Sequence, residues 1–73
     1  MKNECKLSVN DTFFAGKGGQ TYKHHVVSIV EDEYDTLVVY RFYGKHKQWW
    51  HYEIEDVYSF NQKLVAGVYR TGR

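Results

Sequence analysis

The chain has 73 residues, and its ten basic and nine acidic side chains leave a formal net charge of +1. This length holds one small core and no second folding unit, and the balance of charge provides no overall attraction to nucleic acid or anionic membranes. The single cysteine, Cys5, cannot form a disulfide within the chain, and no set of Cys and His residues has the spacing of a structural zinc site.

Aromatic side chains are the main material for a core in so short a chain. The sequence contains seven tyrosines, four phenylalanines and two tryptophans, and each ring can bury roughly 150–250 Å². We therefore expect packing to supply the stability of a single domain spanning 1–73, whose termini need not be ordered. Residues 1–6 lack the apolar run of a signal peptide or a transmembrane helix, so we expect a cytoplasmic protein.

Short strands and turns are predicted for the first half of the chain. Thr12–Ala15 is an aromatic-rich stretch that follows Asn10-Asp11 and stops at the glycine-rich loop 16–19, which indicates a first strand. The second strand is predicted from Thr21 to Val30, where β-branched residues are frequent, and it ends in the acidic turn 31–35.

The clearest pattern lies between Thr36 and Ile54. A five-residue loop from Gly44 to Gln48 would pair two strands and place six apolar side chains on one face, which is the predicted core. The predicted pairs are Phe42 with Trp50, Tyr40 with Tyr52, and Val38 with Ile54. The opposite face would carry Leu37, Val39, Arg41 and Tyr43 from one strand and Trp49, His51, Glu53 and Glu55 from the other.

The segment after Ile54 allows two interpretations. Residues 55–60 suit a single helical turn followed by a last strand from Leu64 to Tyr69. The alternative is a continuous helix from Asp56 to Ala66, since Val57, Phe60 and Leu64 are spaced for one helical face. The first interpretation gives an all-β fold, a five-stranded SH3-like small barrel with one short helical turn before the last strand.

A weak family resemblance supports this fold. The residues that carry it are Val38-Val39-Tyr40, Tyr43-Gly44, Trp49 and Phe60, preceded by Gly19 and Tyr22. They resemble short uncharacterised bacterial and phage domains of the SH3-like type, and the resemblance implies a fold but no activity. Small size and the absence of a disulfide are also typical of phage or prophage accessory proteins that act on a host factor.

Several candidate catalytic or metal sites have simpler structural explanations. The segment 16–21 contains the glycines and lysine of a phosphate-binding loop, but a β-rich stretch follows where that loop requires a helix. His24 and His25 are adjacent on a strand and should point to opposite faces, so we expect one surface histidine and one partly buried, hydrogen-bonded histidine. The acidic groups at 31–35 and 53–56 lie in a turn and at a strand end. We therefore expect no enzymatic activity, metal or cofactor.

The predicted outer face of the central hairpin is the remaining candidate for function. In that register Trp49 stands beside Tyr43, Arg41 lies opposite His51, and basic residues occupy the tip. The predicted binding residues are Trp49, Tyr43, Arg41, Lys45, His46, Lys47 and His51. The alternative is that Trp49 packs beneath the N-terminal segment or the last strand. Leu37 and Val39 share this face, so either they enter the core or a partner covers them, as in a symmetric dimer.

These observations favour a non-catalytic protein-interaction module that binds another protein or itself through the aromatic surface around Trp49. The alternative function is recognition of nucleic acid, with bases stacked on Trp49 or Tyr43 and phosphates bound by basic residues of the hairpin. The sequence indicates neither a membrane partner nor a small-molecule substrate.

Overall fold

The computed structural model describes residues 4–44 and 48–71, apart from the side chain of Lys17. These residues form one antiparallel sheet of four strands in the order β1-β2-β3-β4, followed by one helix. The elements are β1 (Thr12–Lys17), β2 (Gln20–Glu31), β3 (Thr36–Gly44), β4 (Trp49–Asp56) and α1 (Val57–Val65). The all-β class is confirmed. Within the described residues β1 and β4 are the two edges of the sheet and do not pair, so the sheet does not close into the predicted SH3-like barrel, and the fifth strand is not confirmed.

Two tight turns join the first three strands. Gly18 and Gly19 adopt φ of 60° and 84° between the paired residues Lys17 and Gln20, and positive φ at both central positions is the geometry of a two-residue type I′ hairpin turn. In the acidic turn, the Asp32 carboxylate accepts hydrogen bonds from the backbone N–H groups of Tyr34 and Asp35 at 2.8 and 2.7 Å. Both turns lie where the sequence predicts them.

A β-bulge in β2 brings the side chains of Val26 and Ile29 to the same face of the sheet. Val26 pairs with Tyr40 and Ser28 pairs with Val39, so Val27 is the extra residue. Without a bulge Val26 and Ile29 would point to opposite faces, whereas the extra residue brings both to the core side.

The helix α1 follows β4 without a loop. The Asp56 carboxylate caps it by accepting a 3.0 Å hydrogen bond from the backbone N–H of Ser59. Gly67, with φ of 83°, ends it by allowing the N–H of Val68 to reach the carbonyl oxygen of Lys63 at 2.9 Å. The continuous-helix alternative is therefore confirmed. The predicted last strand from Leu64 is wrong: α1 continues to Val65, and Arg70 forms an isolated β-bridge to Phe14.

The core lies between α1 and one face of the sheet, which we call the inner face. Phe13 is fully buried at its centre, and its ring lies 5.3 Å from Tyr40, 5.2 Å from Phe60 and 4.7 Å from Tyr69. The remaining core residues are Ala15, Val26, Val38 and Val57. The opposite face of the sheet, which we call the outer face, is not covered by a helix in the described residues. In the described part of the chain no helix has the length and hydropathy to span a membrane.

The register of the central hairpin differs from the predicted one by one residue. Tyr43 pairs with Trp50, Arg41 with Tyr52 and Val39 with Ile54, and the ladder ends at the pair of Gly44 with Trp49. The predicted inner face of β3 is confirmed, since Val38, Tyr40 and Phe42 are buried. The predicted inner face of β4 is wrong: Trp50, Tyr52 and Ile54 lie on the outer face, and His51, Glu53 and Glu55 lie on the inner one.

Candidate binding face

Six side chains on the outer face of β2, β3 and β4 form the surface that we call the aromatic face. They are His25, Arg41, Tyr43, Trp50, Tyr52 and Ile54. Alternation along the strands brings them to one side. Their exposed fractions are large for apolar residues, at 41% for Trp50, 57% for Tyr52 and 61% for Ile54.

Arg41 lies in the middle of the aromatic face between two rings. Its guanidinium carbon is 4.2 Å from the centroid of Trp50 and 5.6 Å from that of Tyr52. Its Nη1 donates a 2.7 Å hydrogen bond to the Tyr52 hydroxyl oxygen. Cation–π attraction and this hydrogen bond fix a planar cation on the surface before any partner arrives.

Trp50 is held from two further sides and still presents much of its ring. The Tyr43 ring meets it at 5.5 Å with an interplanar angle of 73°, and the His25 ring at 5.8 Å with an angle of 75°. These are edge-to-face contacts, which restrain the indole without covering it. A large ring held in one position loses little conformational entropy when a partner binds.

Aliphatic side chains extend the aromatic face along the sheet. Val39 pairs with Ile54, and Leu37 pairs with Val30 on the neighbouring strand. Val30 is exposed, whereas Leu37 and Val39 are half-buried and lie outside the core. The interpretation that these two residues enter a barrel core is wrong.

The predicted binding residues are divided between the two faces. Arg41 and Tyr43 do lie together on the outer face. Trp49 and His51 lie on the inner side, where their rings are 5.7 Å apart and His51 stacks on Phe42 at 5.0 Å. Trp49 is 53% exposed, beyond the end of the core. The predicted tip residues Lys45, His46 and Lys47 lie outside the described residues.

Two predicted contacts are therefore wrong, and their correction reveals residues that the sequence interpretation missed. Trp50, not Trp49, stands beside Tyr43, and Tyr52, not His51, lies opposite Arg41. The alternation of Trp50, Tyr52 and Ile54 is visible in the sequence. Because apolar side chains normally point inward, this alternation predicts a core face instead of an exposed one.

At the inner face of β4, Glu55 meets Tyr40, Lys63 and Tyr69 in a polar group that we call the tyrosine–carboxylate cluster. Both tyrosines are buried, whereas the Lys63 side chain is 44% exposed. Glu55 Oε1 accepts hydrogen bonds from the hydroxyls of Tyr69 at 2.7 Å and Tyr40 at 3.0 Å, and Lys63 Nζ lies 2.7 Å from Oε2. Burial raises the pKa of both tyrosines, and the bond to Glu55 raises the pKa of Lys63. The cluster attaches the segment after α1 to the sheet.

The two adjacent histidines behave as alternation predicts. His24 is buried against Phe13 and Phe42, and its Nδ1 lies 2.9 Å from the carbonyl oxygen of Tyr22, to which it donates. His25 is half-buried on the outer face. Across residues 4–44 and 48–71, no three His, Cys, Asp or Glu side chains converge as a metal site.

Comparison of the chain with protein-family models, with curated proteins and with solved structures finds no match. The geometry of the aromatic face is therefore the basis on which we infer a function. That geometry combines one half-buried cation, a restrained tryptophan and an exposed tyrosine on an open sheet surface.

Proposed function

We propose that this protein is a non-catalytic interaction module whose aromatic face binds an acidic, partly apolar segment of another protein. The observation that carries the proposal is the contact of Arg41 with both Trp50 and Tyr52 on a face that nothing in the described chain covers. Trp, Tyr and Arg are the residue types that most often dominate the energy of protein interfaces. A short chain with one recognition face suits a cytoplasmic phage or prophage accessory protein that acts on a host factor.

The charge of Arg41 supports an acidic partner. Among the residues that the structure describes, its polar partner is the Tyr52 hydroxyl, and no carboxylate pairs with it. A guanidinium retains further N–H donors in a planar fork, which a carboxylate of the partner can bind with two hydrogen bonds. Burial of that pair among the rings would favour partners with a matching acid and disfavour those without one.

The aliphatic part of the surface favours protein over nucleic acid. Ile54, Val30 and Val39 offer apolar area that matches side chains of a protein segment, whereas a nucleic acid would need cations along its phosphates. The outer face supplies few, mainly Lys23 and Arg41 in the described strands, and Asp56 opposes them at one end. The near-neutral charge of the chain agrees with this preference.

The decisive experiment compares Trp50→Ala with Tyr58→Ala. Tyr58 is a matched control, because it is an aromatic residue that is 59% exposed on α1, away from the aromatic face. Partners captured from an extract of the native host are identified, purified and titrated by calorimetry. We expect Trp50→Ala to weaken binding by about 2 kcal/mol or more, roughly 30-fold in Kd, and Tyr58→Ala to leave Kd unchanged.

Two outcomes would overturn the proposal. If the Trp50→Ala variant bound its partner with the affinity of the wild type, the aromatic face would have no part in the interaction. Binding of a single-stranded oligonucleotide that is lost in Trp50→Ala and falls steeply with salt would assign the face to nucleic acid instead, through stacking on its exposed rings.

A further inference from the structure

Four successive rows of side chains along β3 form a surface on the outer face that we call the outer strip. From one end to the other, the rows are Tyr43 with Trp50, Arg41 with Tyr52, Val39 with Ile54, and Leu37 with Val30. Alternate residues of a strand are about 7 Å apart, so the outer strip is about 20 Å long. Its width from β2 to β4 is about 10 Å, which is twice the spacing between neighbouring strands.

An extended segment of a partner does not match the outer strip. An added strand joins a sheet through main-chain hydrogen bonds at an edge. The outer strip instead lies over β3, whose N–H and C=O groups are already bonded to β2 and β4. An extended segment laid across these side chains would leave many of its own backbone groups without partners in an apolar contact, which is unfavourable. The occupant should therefore satisfy its backbone groups internally.

An α-helix satisfies its backbone groups internally and matches the outer strip in size. Its diameter with side chains is about 10–12 Å, which equals the width of the strip. One turn rises about 5.4 Å, so each row meets about one turn and about 14 residues span all four rows. The inner face already shows a helix packed on this sheet, since α1 places Val57 and Phe60 in the core. A second helix on the outer face would complete a three-layer arrangement.

The charges on the outer face favour a helix of another protein over a second copy of this chain. Arg41 donates to the Tyr52 hydroxyl and pairs with no carboxylate among the described residues. Lys23 adds a further cation on β2. A second copy laid face to face would bring the same cations again, and its Asp56 carboxylate already accepts a hydrogen bond from Ser59. A carboxylate on the helix of another protein can approach the guanidinium fork directly.

We propose that the partner segment bound by the aromatic face is an acidic amphipathic α-helix of about 14 residues that lies along the outer strip, over β3. Apolar side chains of the helix contact the first, third and fourth rows. One glutamate or aspartate in the same stripe pairs with Arg41 in the second row. This inference rests on the proposed function, because it specifies the form of the segment that the aromatic face binds.

The first test titrates the wild type by calorimetry with synthetic peptides of about 14 residues. Each probe carries three leucines and one glutamate at i, i+4, i+7 and i+11, which lie on one helical stripe. Because Arg41 lies in the second of four rows, the glutamate stands at i+4 in one probe and at i+7 in the other, one for each direction of the helix. A control of equal composition has the glutamate on the opposite side of the helix. We expect the better probe to bind at least about 10-fold more tightly than its control.

The second test examines the helical form of the bound probe. Proline breaks a helix in its middle but is tolerated in its first turn. A central proline should weaken binding at least about 10-fold, and a proline in the first turn should weaken it by less than about 3-fold. Circular dichroism should show that the probe gains helix on binding. An isomer of the probe with leucine at alternate positions that binds as tightly as the helical probe would overturn the inference.

The third test measures how far the contact extends along the outer strip. Ile54 lies in the third row and is 61% exposed, so Ile54→Ala should keep the fold, which thermal unfolding checks. We expect this change to weaken the helical probe about 5-fold and Tyr58→Ala on α1 to leave it unchanged. Equal affinity of the wild type and Ile54→Ala would show that no helix spans the strip.

Two further results would overturn the inference. One is the absence of binding of both helical probes up to about 1 mM, which corresponds to only weak affinity. The other is equal binding of the probes to Trp50→Ala and the wild type, since the probes would then occupy another surface. The proposed function has a separate measurement, the dependence of the host partner on Trp50. A host partner that requires Trp50 but binds through a segment that is not helical would leave the proposed function standing and remove the helix.

Discussion

The His51 ring lies directly over Gly44, so closely that a Cβ atom added at Gly44 would stand 2.5 Å from His51 Nε2. The same ring stacks on Phe42 at 5.0 Å with an interplanar angle of 14°. Because Gly44 has no side chain, the His51 ring can lie over it at the end of the inner face. Gly44 helps to select the observed register, since any other residue there would displace the ring from Phe42.

Gly44→Ala should destabilise the protein by about 1–3 kcal/mol, the usual cost of adding a methyl group to a packed site. The measurement is the free energy of unfolding from urea titration. Gly16→Ala is the matched control, because an added Cβ there would meet the Gln20 carbonyl oxygen at 3.6 Å, an ordinary contact. Its effect should stay within about 0.5 kcal/mol. Equal stability of the two variants would show that His51 moves aside freely.

Tyr69→Phe tests the tyrosine–carboxylate cluster. The change removes the hydroxyl that donates to Glu55 at 2.7 Å and meets the Tyr40 hydroxyl at 3.0 Å, while the ring keeps its place in the core. Loss of a buried hydrogen bond to a charged group should cost about 1–3 kcal/mol of unfolding free energy. Tyr58→Phe, on the exposed side of α1, should change stability by less than about 0.5 kcal/mol.

The sequence predicts much of this sheet and misplaces one strand for a physical reason. Strand alternation identifies the buried side of β3, and the glycines and the acidic run mark both early turns. Alternation alone does not determine how β4 pairs, because a change of one residue in the length of the hairpin loop turns every side chain of the strand to the other face. Apolar residues normally choose the inner face. Here the buried core includes no residue of β4. On the inner side of β4, Glu55 accepts hydrogen bonds from Tyr40 and Tyr69 and pairs with Lys63, so an acidic residue is stable there.

The candidate site was harder to predict than the fold. Arg41 and Tyr43 follow from the correct assignment of β3. Trp50 and Tyr52 do not, since the sequence gives no sign that α1 covers only one side of the sheet and leaves apolar residues of β4 in solvent. The continuous helix was visible in the spacing of Val57 and Phe60, and its presence is what replaces the predicted fifth strand.

Stability should fall at alkaline pH. Burial raises the pKa of Tyr40 and of Tyr69, and the bond to Glu55 raises the pKa of Lys63 above its usual range. Groups whose pKa is raised by folding hold their protons more firmly in the folded state. Their contribution is complete below the ordinary pKa of about 10 and is lost as the pH rises above it.

Urea unfolding at a series of pH values from about 8 to about 11.5 measures this dependence. The Tyr69→Phe variant lacks one of the titrating hydroxyls and should show a shallower decline than the wild type. Stability that stays constant or increases across this range would contradict the buried, protonated state of the two tyrosines.

Arg41→Lys separates the role of the guanidinium from that of its charge. A lysine keeps the positive charge but cannot lie flat between Trp50 and Tyr52 or bind a carboxylate with two parallel hydrogen bonds. We expect a loss of about 0.5–1 kcal/mol in folding stability from the weaker contact with the rings. Affinity for the acidic protein partner should fall by about 10-fold, because the fork geometry is lost.

Lys23→Ala removes a charge from the same face away from these rings and should leave the affinity near that of the wild type. If Arg41→Lys binds as well as the wild type while Lys23→Ala does not, general positive charge attracts the partner, and the planar cation held between Trp50 and Tyr52 has no special part in recognition.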